Sequence, residues 1–374
     1  MPPSPLSRRD FARAAGAGLA AAVVGRALPA RASAPAHPIV LDSNENPWGP
    51  SPKALEAMTA SQSVAARYPD ALEGKVAEAV ARLHGVEPER VVLGCGSGEV
   101  LRMADMAFLG PGRKVVVSQP TFEAVIGYAE VIKAEAVTVP QTADYRHDLP
   151  RMAAACDGSV GLVYVCNPNN PTATFVTRDE LLAFLERVPA ATKVLVDEAY
   201  FHFADDPRYA SADQWLGRFP NLLVVRTFSK VFGLAGMRLG YAVGSGEAIS
   251  AMQRHRVFSN GNAAVLEAAA VSLADAAHVE RQRQRNASTR SWLYAELTRD
   301  GRRYIPSQTN FVMIEIGSDV KPVIQAFRER SIMVGRRFPS MESWLRITIG
   351  TPEEMGAFVA ALREIVPARG GRAA

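Results

Sequence analysis

Residues 227 to 240, "TFSKVFGLAGMRLG", set one lysine, Lys230, beside Thr227 and Ser229 and among small apolar residues, with Arg238 eight positions later. A lysine in a dry pocket loses basicity because burial disfavours the ammonium, and its free amine can form a Schiff base with a carbonyl. An arginine on the same segment can neutralise a phosphate, helped by the hydroxyls and by backbone N–H groups of a glycine-rich turn. "GCGSGE" (94–99) offers such a turn between an apolar run and a helical pattern, with Gly96, Ser97 and Gly98 at a helix N-terminus. Its spacing is neither the G-x-G-x-x-G dinucleotide fingerprint nor a G-K-[ST] loop. Alone it divides evenly between phosphate binding and a tight structural turn.

Asp197 ends the apolar run of "VDEAY" (196–200). A carboxylate there is costly to bury unpaired and calls for a cation. A protonated pyridine nitrogen would serve; a helix N-cap or a metal ligand is the alternative. No His/Asp/Glu cluster of ligand spacing lies nearby, so no metal is expected. "NPNNPT" (167–172) is a turn by composition, but it follows a buried strand pattern, which makes Asn170 a candidate alongside Tyr200 to hydrogen-bond a phenolate oxygen. Each loop has a plain structural reading by itself, Lys230 as a solvated turn residue included. Together, a carbonyl-reactive lysine, a phosphate cradle and a carboxylate for a pyridinium match one cofactor, pyridoxal 5′-phosphate.

These loops need a scaffold that brings them together. Short β-branched runs, "VVL" (91–93), "KVVVS" (114–118), "VGLVYV" (160–165), "KVLV" (193–196) and "NLLVVR", each lead into one of the polar loops. Continuous apolar runs of this kind indicate parallel strands buried on both faces, and ligands bind at the carboxyl ends of such strands. An α/β fold follows, with a large domain built on a mostly parallel central sheet sandwiched by helices. Thr177 and Glu180 stand at capping-box spacing, and Thr351 with Pro352 and Glu354 starts a last helix. Beyond about residue 256, helical stretches (262–274 and 275–299), "NFVMIEI", a helix at 320–330 and "WLRITIG" read as a smaller α+β domain.

The formal charge of +4 is concentrated in residues 1–34, which hold Arg8, Arg9, Arg13, Arg26 and Arg31 against Asp10. The rest is neutral and lacks the basic field that nucleic-acid binding uses. In that block "SRRDFAR" precedes "AAGAGLAAAVVG", and "ALPARASA" adds A-x-A sites, the pattern of a signal peptide. The twin arginines are similar to signals of the bacterial Tat route; the apolar run is too short to span a bilayer comfortably. Cleavage after Ala32 is favoured over Ala34, which Pro35 follows. Cys95, Cys156 and Cys166 show no disulfide or zinc spacing and read as small buried hydrophobes.

From about residue 41 to 366 the chain resembles the class I/II (fold-type I) pyridoxal-phosphate-dependent aminotransferases, and most closely the histidinol-phosphate aminotransferase group. The motifs are "NENPWGPSPKAL", "YPD", "GCGSGE", "PTF", "NPNNPT", "VDEAY", "RTFSKVFGLAGMRLGYA", "NFVMIEI" and "WLRITIGTPEE", in that order. The resemblance implies that Lys230 is the Schiff-base lysine and acid–base, that Asp197 holds the pyridine nitrogen protonated, and that Asn170 and Tyr200 bond O3′. It implies that Phe122 stacks on the ring and that Gly96, Ser97, Gly98, Thr227, Ser229 and Arg238 hold the phosphate. Tyr68 would reach the phosphate of a neighbouring subunit, implying a homodimer with shared sites. Arg346, with Arg336 and Trp48, would bind substrate.

The sequence departs from the family at Ala173, where "NPTG" has glycine, and at Gly335, where an arginine is common and Arg336 and Arg337 follow instead. The implied activity is ping-pong transfer of an amino group between an amino acid, or a histidinol-phosphate-like amine, and a 2-oxo acid. A decarboxylase or oxidase on the same scaffold is the nearest alternative, and a non-catalytic periplasmic binding protein the distant one. The expected division is 1–34 leader, 35–67 arm and part of the small domain, 68–255 cofactor-binding domain, 256–367 small domain and 368–374 flexible tail. The leader places the mature protein in the periplasm, or in the cytoplasm if it is not functional.

Overall fold

The computed structural model describes residues 38–367, so the expected leader and tail lie outside the described residues. The chain enters as β1 (Ile39–Leu41) and then lays down seven strands of one sheet. These are β2 (Val91–Gly94), β3 (Lys114–Gln119), β4 (Glu135–Pro140), β5 (Val160–Cys166), β6 (Lys193–Asp197), β7 (Leu222–Thr227) and β8 (Gly240–Val243), in the spatial order β2-β8-β7-β6-β5-β3-β4. Only β8 runs antiparallel to its neighbours, so the other six share one direction.

The apolar runs are strands because both faces of the sheet are covered. Val116, Val163, Val165, Val194, Val196, Leu222 and Val224 enter one core. Their neighbours Val115, Val117, Leu162, Tyr164, Leu195, Leu223 and Val225 enter another on the opposite face. This is the two-residue period of a pleated strand, and each such side chain contributes about 1.5–3 kcal/mol when fully buried.

The second set of strands is β9 (Tyr304–Ile305), β10 (Phe311–Glu315), β11 (Ile332–Val334) and β12 (Trp344–Thr348). β12, β10 and β9 form an antiparallel sheet, and β11 pairs with β1. Leu41, Val312, Ile314, Leu345 and Ile347 pack there with Phe327 and Phe358, from the helices Lys321–Arg328 and Pro352–Ile365. Alternation along β12 sends Leu345 and Ile347 into this core and turns Arg346 and Thr348 the other way. Both capping boxes form, at Thr177/Glu180 and Thr351/Glu354. The helix Ala263–Ala274 lies beyond residue 256, yet its Val265, Leu266, Ala268 and Ala269 belong to the core of the large sheet.

One expectation needs correction, and one departure from the family pattern is accommodated. Cys95 is exposed, because it sits in the turn that starts a helix, whereas Cys156 and Cys166 are buried. Ala173 adopts the left-handed conformation (φ 63°) that glycine favours and is fully buried. The turn still closes, with Asn169 N donating to Thr174 O (2.7 Å) and Ala173 N to Asn169 O (2.8 Å).

Candidate active site

The polar loops after β2, β3, β5, β6 and β7 converge at the carboxyl end of the sheet around a cavity of about 480 Å³. It is lined by twelve of the residues singled out in the sequence: Ser97, Gly98, Phe122, Asn170, Asp197, Tyr200, Thr227, Ser229, Lys230, Arg238, Arg336 and Arg346.

Lys230 follows β7 and is partly buried. Its Nζ donates to Ser43 O (3.1 Å) and Asn44 O (3.0 Å) and lies 5.6 Å from the centroid of the Tyr200 ring. Burial, then the nearby Arg346 and Arg238, lowers its pKa to about 8, against a smaller opposite pull from Glu45 and Asp197. Asp197, at the end of β6, is 3% exposed and accepts from Tyr164 Oη (2.9 Å) and Ala199 N (3.1 Å). Burial raises its carboxyl to about 6, although these hydrogen bonds favour the anion. Such a carboxylate gains from a cation placed against it.

The phosphate side is defined by close approach. Gly96 has φ +77°, and a Cβ there would lie 2.2 Å from Arg238 Nη2; a Cβ on Gly240 would lie 2.3 Å from Ser97 N. Only glycines let the guanidinium and the helix start at Gly96 come together. Arg238 has no carboxylate partner among the described residues: it donates to Ala235 O (2.8 Å) and, at 3.5 Å, to Ser229 Oγ. Thr227 Oγ1 and Ser229 Oγ sit 3.0 Å apart. An arginine with only neutral partners, beside hydroxyls and a helix N-terminus, fits a phosphate; a buried carboxylate and a weakened lysine amine in the same cavity fit the pyridine nitrogen and the carbonyl of pyridoxal phosphate.

Arg346 is 8% exposed and donates to Asn170 Oδ1 (2.8 Å) and Asp42 O (2.6 Å), while its buried Nε has no partner. The bond to Arg346 engages the Asn170 oxygen, so Nδ2 is the Asn170 group left to donate into the cavity. Tyr200 Oη accepts from Asn44 Nδ2 (3.0 Å), and burial raises its pKa.

Three expected residues stand elsewhere. Gly96 lies behind Arg238 and does not line the cavity; its part is to leave room. Trp48 does not line the cavity; Arg285 lies 5.8 Å from its ring, and its backbone N–H donates to Asn46 Oδ1 (3.1 Å). Tyr68 is 83% exposed and does not line the cavity of its own chain.

Sequence reasoning also missed Asn44. It is 2% exposed with φ 55°; its backbone N–H donates to Thr348 Oγ1 (2.9 Å), and its carbonyl oxygen accepts from both Lys230 Nζ and Asn310 Nδ2 (3.0 Å each). The available signal was an asparagine inside a proline-rich arm, since asparagine tolerates the left-handed region. Glu198, next to Asp197, is directed elsewhere and pairs fully buried with Arg226 (2.9 Å), Ser211 Oγ and Ala212 N.

The family model for aminotransferase class I and II matches residues 36–362. The histidinol-phosphate aminotransferase of Moorella thermoacetica is 38% identical over 332 residues, 88% of this chain and 85% of that protein. Histidinol-phosphate aminotransferase 2 of Methylococcus capsulatus is 40% identical over 336 residues, 88% of this chain and 91% of its own. The crystal structure of histidinol-phosphate aminotransferase from Sinorhizobium meliloti in complex with pyridoxal-5′-phosphate superposes with a TM-score of 0.82 at 26% identity, covering 88% of this chain and 91% of that one. The chain belongs to the class I and II aminotransferases, has their fold-type I architecture, and is a pyridoxal-phosphate-dependent aminotransferase.

Proposed function

We propose that this aminotransferase moves an amino group between an amino acid, or an amine resembling histidinol phosphate, and a 2-oxo acid in a ping-pong cycle run by Lys230. The observation that carries the reading is Lys230 itself, an amine lowered to about 8 in one cavity with Asp197 and Arg238. Pyridoxal phosphate, when bound, supplies the carbonyl that takes the amino group and a ring that delocalises the electron pair released at the substrate Cα. Lys230 Nζ, steadied by Ser43 O and Asn44 O, carries the proton to and from that carbon. Asp197 keeps the pyridine nitrogen protonated. Tyr200 and Asn170 Nδ2 donate to the ring oxygen, and Phe122 lends an apolar ring face. Arg238, Ser97, Gly98, Thr227 and Ser229 hold the phosphate, and Arg346 receives an acidic group of the substrate.

The names of the relatives make histidinol phosphate one candidate donor, and Gly335 in place of an arginine keeps ordinary amino acids beside it. The test mixes holoenzyme with single amino acids and with histidinol phosphate and follows the cofactor's absorbance without an acceptor. At least one donor should convert it, and Lys230→Ala should slow conversion at least about a thousandfold. No conversion by any donor, or an active Lys230→Ala, would sink the reading.

The protein acts as a homodimer in which Tyr68 reaches the partner's site. Tyr68 (83% exposed), Phe258 (90%) and Val257 (54%) are large apolar side chains left uncovered in a single chain. Residues 1–34 act as a twin-arginine leader that delivers the folded, loaded protein to the periplasm. Replacing Arg8 and Arg9 by lysine should hold the protein in the cytoplasmic fraction, and unchanged fractionation refutes this.

A further inference from the structure

The mouth of the active-site cavity carries a second arginine whose partner comes from across the chain. Arg336 Nη2 donates to Glu123 Oε2 (2.5 Å), with Nη1 on Arg337 O (3.3 Å), and the guanidinium lies 4.3 Å from the centroid of the Phe338 ring. Arg346 lies 5.3 Å from the same centroid, so one aromatic ring sets two guanidiniums along one cavity wall. They differ in how they are held. Arg346 is buried and fixed by Asn170 and Asp42, whereas Arg336 and Glu123 are 53% and 54% exposed. An exposed pair of this kind is worth only about 0–1 kcal/mol, and water solvates the carboxylate when it leaves.

The residues around the pair have no other use for it. Glu123 precedes the helix Ala124–Val131 and its side chain caps nothing there. It follows Phe122, which lines the cavity. Gly335 cannot carry a side chain, since a Cβ would lie 2.6 Å from Arg346 O, so Arg336 is the first residue after β11 able to present a cation to the mouth. Behind it, an open groove sharing Ser43, Arg336 and Arg346 adds Lys321 and Arg328 against the acids Asp42 and Asp319, the latter engaged by Arg337. Among the described residues Arg336 has no carboxylate partner besides Glu123, so an anion that displaces Glu123 meets an otherwise unpaired guanidinium.

We propose that Glu123 is a specificity-determining residue. Its carboxylate occupies Arg336 in the free enzyme, and donors or acceptors whose side chain ends in a carboxylate or phosphate enter by taking its place. Substrates ending in neutral groups leave the pair intact. Glu123 thus narrows a preference for anionic side-chain ends that Arg336 creates. The inference rests on the transaminase reading for its meaning, but it can be tested by binding alone.

Glutarate and pentanoate have one length and differ by one carboxylate, and neither has an amine or keto group to react. A phosphonate-ended acid of the same length distinguishes a phosphate preference from a carboxylate preference. Titration calorimetry on holoenzyme gives the Kd of each. Glu123→Gln should raise the glutarate or phosphonate preference over pentanoate by about threefold or more, and Arg336→Gln should lower it by about tenfold. Adding Glu123→Gln to Arg336→Gln should change nothing further. A preference that Glu123→Gln leaves alone or lowers, or a gain that persists without Arg336, overturns the proposal. Normal preferences with no amino transfer from any donor would instead count against the transaminase reading.

Discussion

Lys230 does its work by being a poor ammonium. Its pKa falls from 10.5 to about 8, first through burial and then through the positive field of Arg346 and Arg238. Below pH 8 the side chain is charged; at pH 9 it is mostly neutral, whereas an ordinary surface lysine is still charged. Acylation of Lys230 in the cofactor-free protein, followed by peptide mapping, should therefore reach half its maximal rate near pH 8. A midpoint above pH 10 would mean that the amine is solvated like any other. Asp197 and Glu198 make the complementary point. They are adjacent acids of one motif, yet one is raised to about 6 in the cavity while the other is paired with Arg226. The motif announced a carboxylate at a strand end; which of its acids faces the cavity depended on the strand's orientation.

Among the elements, strands and caps were the most legible. The apolar runs from "VVL" to "NLLVVR" are β2, β3, β5, β6 and β7, because a strand buried on both faces needs no polar alternation. The capping boxes were readable because the reciprocal bonds are local, spanning three residues. Asp105 was not legible. It sits inside the helix Gly96–Phe108, fully buried, with neither carboxylate oxygen partnered, and burial raises its pKa from 3.8 to about 8. The folded protein holds this proton up to about pH 8, while the unfolded chain releases it near pH 4. The stability it contributes is thus complete below about pH 4 and is lost as pH rises through about 8. Asp105→Asn should stabilise the holoenzyme by more than about 1 kcal/mol at pH 9, and by less at pH 5. Urea unfolding at the two pH values checks this, and equal effects would refute it.

For the whole molecule, the uncovered Tyr68, Val257 and Phe258 argue for a second copy. Sedimentation should give a dimer, and Phe258→Ser should raise its dissociation constant about tenfold or more. A wild-type monomer at micromolar concentration would contradict the shared site. The fold class, the cofactor and most of the residues that line the cavity were legible in the sequence, because each is carried by a short motif whose chemistry is local: a lysine between hydroxyls, a glycine-rich helix start, an acid closing an apolar strand. The tertiary structure alone decided what depends on contacts between segments far apart in the chain. It left Trp48 off the cavity wall, brought Asn44 to Lys230 and Tyr200 from 186 and 156 residues upstream, and set Glu123 on Arg336. No local pattern encodes such meetings, because they arise only when the arm, the large sheet and the β9–β12 region close on one another.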